Sequence, residues 1–241
     1  MRLLFIILLF ACFYQKSFSQ TLVIAKIESG KIFLAADTRR VHQENILVND
    51  TIMQVNICDT LTKVGSHNGV SFGLMGSFAQ YDIIGLPLKF CKKDLPLISV
   101  VNSYAQAQVD TLLQVMPYLR KNDPRRYQRD YKNKGGFIKA IFTNYENGKP
   151  QILIVTFYSY EIADNLNIQY IITHSGETEE AIGHTSAIDN IFHLKKTWVG
   201  NTADAINRLF EKQIEATPDA VAKPLDLYIV DQNSVTYKRI K

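Results

Sequence analysis

The chain has 241 residues, 46% hydrophobic and 21% charged, which suits one large domain with a packed core and excludes a disordered chain. Its formal charge is +4, and loss of Arg2 and Lys16 with an N-terminal leader would leave +2. That near balance gives no case for a nucleic-acid-binding protein.

Residues 1–20 read as a signal peptide. Arg2 supplies the positive start, the run from Leu3 to Phe13 is unbroken and apolar, and Ser17 and Ser19 are the small residues a signal peptidase reads. The apolar run is too short to span a bilayer, and no later segment is long enough. The expectation is an exported chain, periplasmic or secreted, with a domain over 21–241 and no integral membrane segment after processing. A lipoprotein anchored through Cys12 is the lesser alternative. Ser17-x-Ser19 directs cleavage to the bond before Gln20, so two mature starts stay open: Gln20 and Thr21.

Thr21–Ile27 and Lys31–Ala36 read as strands of a hairpin turning at Glu28-Ser29-Gly30. Val41 to Asp59 is a mixed polar stretch, a loop or hairpin excursion. Leu61–Val64 and Val70–Leu74 flank the turn signal Asn68-Gly69. Gly76-Ser77 opens a helical stretch, and Leu97, Val100, Val101, Tyr104, Ala105, Leu112, Leu113 and Met116 form the apolar stripe of a long helix after Pro96. Residues 117–136 hold seven Lys/Arg and two Asp and read as a solvated linker, with an anionic-partner surface as the alternative. Phe137–Thr143, Gln151–Tyr158 and Ile168–Thr173 read as strands. A helix is expected after Ser175-Gly176, through Glu179 and Ala181 toward Ile191. Asn201-Thr202 caps another helix, and Leu225–Val230 with Val235–Arg239 closes the chain as a hairpin. Antiparallel hairpins with interposed helices indicate a single α+β domain.

No Walker loop, GxGxxG, HExxH, CxxC pair or GxSxG elbow is present, and the five His have no metal-ligand spacing, so neither cofactor nor metal is expected. Asn49-Asp50-Thr51 fits a glycosylation sequon. Beyond Cys12, two cysteines remain, Cys58 and Cys91; in an oxidising compartment they pair, or they are two separate buried thiols.

From Thr21 the order is Thr, strand, Gly30, strand and Ala36-Asp37-Thr38-Arg39, with Thr21 and Asp37 sixteen positions apart. This resembles the N-terminal nucleophile hydrolases, specifically proteasome-type β-subunits. Thr62-Lys63-Val64 resembles the strand carrying that family's active-site lysine. Gly73-Leu74-Met75-Gly76-Ser77 resembles its glycine turn, and His174-Ser175-Gly176 its Gly-Ser-Gly helix opening. Ala216-Thr217-Pro218-Asp219 with Pro224-Leu225-Asp226-Leu227 resembles its closing segment. The chain departs from the family in its longer stretch between Asp37 and Lys63, in Gln20 before the threonine, and in lacking a Ser-Gly after Asp219.

The resemblance covers residues 21–241 and implies a four-layer αββα sandwich of two antiparallel sheets. It implies a threonine-type peptidase or amidohydrolase acting on a peptide or small amide, with a homo-oligomer as a possible assembly. It implies Thr21 as nucleophile and base, Lys63 as electrostatic activator, Asp37 as its orienting partner and Ser175 as support for the amine. Gly76 marks the oxyanion hole, and Arg39 and Asp219 are support residues. The chemistry stands by itself. A Thr hydroxyl needs a base, and a free α-amine with a pKa near ~7.7–8.0 accepts a proton at physiological pH. An N-terminal threonine holds both groups. A buried Lys favours the alkoxide, and an Asp holds that Lys charged. The alternative is an inactive relative, a structural or binding protein on the same fold.

Overall fold

The computed structural model describes residues 21–48, 51–76, 83–163, 165–176 and 178–241, without the side chains of 41–48 and 51–59. The expected leader with Cys12 and Gln20, the first two residues of the sequon, Ser77 and the Cys58 side chain lie outside the described residues.

Strand β1 (Leu22–Glu28) turns into β2 (Lys31–Asp37) through Ser29 and Gly30, whose φ values of 49° and 72° suit a two-residue hairpin. Strands β3 (Arg39–Val48) and β4 (Thr51–Thr60) pair with each other as a separate two-stranded sheet. Strands β5 (Val64–His67) and β6 (Val70–Gly76) turn at Asn68-Gly69, as their turn chemistry predicts. Helices α1 (Gly85–Leu88), α2 (Leu97–Asn122) and α3 (Pro124–Asp130) precede β7 (Ile138–Glu146), β8 (Lys149–Ile162) and β9 (Asn165–His174). Strand β10 (Glu179–Gly183) follows, then α4 (Asp189–Phe192), a 3₁₀ turn at Lys195–Trp198, α5 (Thr202–Ala216), β11 (Leu225–Val230) and β12 (Val235–Ile240).

Two antiparallel five-stranded sheets result, in the orders β10-β1-β2-β11-β12 and β5-β6-β7-β8-β9. Their facing sides bury Val23, Ala25, Leu34 and Ala36 against Val64, Met75, Ile141 and Ile152. The far side of the first sheet packs Leu22, Ile24, Leu225 and Leu227 under Ile206, Leu209 and Phe210 of α5. The far side of the second packs Phe72, Leu74, Phe142 and Phe157 under Val100, Val101, Tyr104 and Leu112 of α2. The layers are helix, sheet, sheet, helix, the αββα sandwich expected. This layering explains the run LVIA in β1: residues facing a helix alternate with residues facing the other sheet, so both faces need apolar side chains.

Two expectations are corrected. Residues 117–136 are not a solvated linker. Helix α2 passes through Pro117 to Asn122, and Asp123 accepts from the Arg126 N–H at 3.1 Å to cap α3. Leu119, Tyr127 and Tyr131 are buried there, the last packed edge-on against Phe137. Residues 179–183 are not helical. They form an edge strand against β1, in the register Lys26↔Glu179 to Leu22↔Gly183. Smaller shifts occur at β5, which begins at Val64 and leaves Lys63 at its entry. Cys91 is a buried free thiol whose S–H donates to the Pro87 carbonyl at 3.3 Å, and burial pushes its pKa up to about 12. Among the described residues no helix is long and apolar enough to cross a membrane.

Candidate active site

Thr21 lies at the start of β1, at one end of the sandwich and 5% exposed. By strand alternation it falls on the Val23 side, between the sheets. The β1–β2 backbone pairing ends at Val23↔Ala36, and a side chain takes over from it: the Leu22 N–H donates to Asp37 Oδ1 at 2.8 Å. The other carboxylate oxygen accepts from the Arg39 N–H at 3.1 Å and from the Lys63 ammonium at 3.0 Å. Asp37 is 0% exposed and Lys63 4% exposed, so the ion pair is fully desolvated. Lys63 Nζ also donates to the Arg39 carbonyl. Such a pair holds only with its remaining hydrogen-bonding capacity satisfied, and three donors on one carboxylate provide that.

Neighbouring backbone fixes the pair. Thr38 is buried, its hydroxyl donates to the Pro224 carbonyl at 2.9 Å, and its own carbonyl accepts from the Leu61 N–H at 2.7 Å. The Lys63 carbonyl accepts from the Leu74 N–H at 2.8 Å, which seats the lysine beside β6. Burial raises the Asp37 pKa, opposed by the Lys63 charge and the two backbone donors. Burial lowers the Lys63 pKa, opposed by Asp37 and reinforced by the Arg39 cation. Each ion thus depends on the other for its charge.

Gly76 ends β6 two residues beyond Leu74 and so stands at the Lys63 end of the sheet. Its φ is 137°, and a Cβ would sit 2.5 Å from the Phe137 carbonyl oxygen, so only glycine fits. Arg39 reaches the Pro218 carbonyl with its guanidinium, while Asp219, one residue on, is exposed.

Ser175 is not in this group. Strand β10 runs antiparallel to β1, and Glu179 pairs with Lys26, five residues and roughly 17 Å along the strand from Thr21. Thr178 carries the same pairing on to Ile27, and Ser175 precedes it in the chain. The Ser175 N–H donates to the Ile152 carbonyl, toward the end of the second sheet remote from Gly76. The expected helix opening fails here because the chain goes directly from β9 into β10. The residues beside Thr21 are instead Gly183 and His184. The His184 N–H donates to the Thr21 carbonyl at 2.8 Å, and Gly183 has φ 103° with its Cβ position 1.8 Å from that same oxygen. The sequence signal for them is the short run Glu-Ala-Ile-Gly followed by polar His-Thr-Ser, a strand closing on glycine.

No family model matches the chain, and no curated protein matches it in sequence. Among solved structures, the helical assembly of the Anbu complex from Pseudomonas aeruginosa is similar over 91% of this chain and 86% of that one, at 13% identity and a TM-score of 0.56. The chain has the fold of Anbu. Anbu from Hyphomicrobium sp. strain MC1 aligns over 91% of this chain and 87% of that chain, at 14% identity and a TM-score of 0.46. At 13% identity the likeness to the Pseudomonas aeruginosa structure speaks to the layered sandwich fold alone.

Proposed function

We propose that the chain is an exported threonine-type peptidase or amidohydrolase. Opening of the Gln20–Thr21 bond gives Thr21 the free amine it needs. The amine takes the Oγ proton as Oγ attacks the substrate carbonyl, and it returns that proton to the leaving amine. Lys63 stabilises the alkoxide, Asp37 holds Lys63 charged, and backbone N–H groups near Gly76 receive the oxyanion. Arg39 supports the pair through its backbone. One observation carries this reading: a single buried carboxylate, Asp37, binds both the residue after Thr21 and a buried lysine. Export rests on the leader-like residues 1–20, and self-assembly is proposed by analogy with the Anbu complex of Pseudomonas aeruginosa.

The test is the mass and N-terminal sequence of the exported protein, followed by acylation with a peptidyl β-lactone, a strained ester that traps activated hydroxyls. A start at Thr21, acylation of the wild type, none of Thr21→Ala and some of Thr21→Ser support the reading. Equal acylation of Thr21→Ala ends it. A second reading, an inactive binding or structural protein, is favoured by Ser17-x-Ser19, which directs cleavage to leave Gln20 in place. It requires a mature start at Gln20 and no acylation.

A further inference from the structure

Two strands flank β1, and at the Thr21 end of each stands one titratable residue. On the β2 side stands Asp37, whose carboxylate already takes the Leu22 N–H, the Arg39 N–H and the Lys63 ammonium. On the β10 side the register Ile24↔Ala181, Val23↔Ile182, Leu22↔Gly183 carries on by one residue and sets His184 opposite Thr21. The 2.8 Å bond from the His184 N–H to the Thr21 carbonyl realises that step. Gly183 makes it possible: its φ of 103° and missing Cβ let the backbone close around the Thr21 carbonyl oxygen. Side chains directly opposite across antiparallel strands keep their Cβ atoms about 4.5–5.5 Å apart, a gap an imidazole can bridge.

An N-terminal amine that serves as a base needs an acceptor for its own N–H, so that its lone pair stays turned toward Oγ. Ser175, the residue the family resemblance puts in that role, lies toward the other end of β1. We propose that His184 is the positioning residue for the Thr21 amine, its neutral imidazole accepting an N–H from that amine. The inference rests on the hydrolase reading above. A neutral imidazole offers one acceptor nitrogen, whereas an imidazolium offers none. His184 is half-buried, and burial lowers its pKa, which favours the accepting form.

The experiment is acylation of the protein starting at Thr21 by the peptidyl β-lactone, followed by intact mass. Oγ bonds to the lactone carbonyl, the ring C–O bond breaks, and the released alkoxide, still tethered, takes the proton from the amine. His184→Ala lowers the limiting acylation rate about tenfold, the scale of one lost hydrogen bond, with the half-saturating lactone concentration unchanged. His184→Leu, which keeps bulk without an acceptor, shows the same loss and decides the matter if the alanine variant does not fold. His184→Asn, which keeps an acceptor, recovers most of the rate. Limiting rates for His184→Ala and His184→Leu within about twofold of wild type, or a loss confined to half-saturation, overturn the inference while the hydrolase reading stands. Absence of acylation in the wild type beginning at Thr21 removes both.

Discussion

The Lys63 ammonium lies 3.0 Å from the Asp37 carboxylate, although a ribbon of two ten-residue strands separates the two residues in the chain. Both feet of the ribbon stand on this pair: β3 leaves two residues after Asp37, and β4 returns three residues before Lys63. Asp37→Asn leaves an uncompensated buried lysine. It is expected to cost about 3–5 kcal/mol of unfolding free energy and to abolish acylation of Thr21. Lys63→Met removes the other half, and the double variant Asp37→Asn/Lys63→Met is expected to be more stable than Asp37→Asn alone. Urea denaturation of the three variants measures this; additive losses in the double variant would show that the two ions are not coupled.

Gly183→Ala puts a methyl where only 1.8 Å separates it from the Thr21 carbonyl oxygen, at a φ of 103°. The crowding atoms, Thr21 O, Thr21 C and Leu22 Cα, are all backbone, so β10 must shift and the His184 bond to Thr21 must break. A loss of at least about 2 kcal/mol is expected, with acylation gone. Gly176→Ala is the control, because among the described residues beyond its chain neighbours nothing lies within 4 Å of its Cβ position. Its melting temperature should stay within a few degrees of wild type. Similar behaviour of the two variants in thermal melts would contradict the tight approach at Gly183.

Ser175→Ala should acylate at the wild-type rate within about twofold, because Ser175 lies beyond Glu179, itself roughly 17 Å along the strand from Thr21. A tenfold or larger loss in Ser175→Ala would restore the role implied by the family resemblance.

The pH profile has a defined sign on each side. On the acid side the Thr21 amine must be neutral to accept a proton, so rate rises with pH through ~7.7–8.0. On the alkaline side Lys63 must be charged, and burial lowers its pKa below the ordinary 10.5, so rate falls before that value is reached. Arg39 lowers the Lys63 pKa further through its charge. Arg39→Gln keeps the backbone N–H to Asp37 and the carbonyl to Lys63 but deletes the cation. Its alkaline limb should move to higher pH with the acid limb unmoved. A downward shift of the alkaline limb would contradict the assignment of that limb to Lys63.

What the sequence revealed follows the range of the forces involved. The turns at Ser29-Gly30 and Asn68-Gly69, the Asn201 cap and the stripe of α2 are set by residues within a few positions of one another, and all were legible. Asp37 and Lys63 were legible through the Ala-Asp-x-Arg and Thr-Lys-Val patterns. Strand β10 was not, because its partner β1 lies more than 150 residues away and five residues show too little period to separate strand from helix. With β10 went Gly183 and His184. The basic stretch 117–136 misled in the opposite way: its charge suggested solvent, while Leu119, Tyr127 and Tyr131 anchor it to the core.

Gly183 and His184 close around Thr21 from the far half of the chain. A chain emerging N-terminus first presents Thr21 long before those residues exist. Asp37 and Lys63 both lie within the first 63 residues, but the strand that pins the Thr21 carbonyl comes more than a hundred residues later. On the hydrolase reading proposed above, a half-made chain holds an unarmed nucleophile, and competence to react arrives with Gly183 and His184, so that the order of synthesis acts as a safety catch.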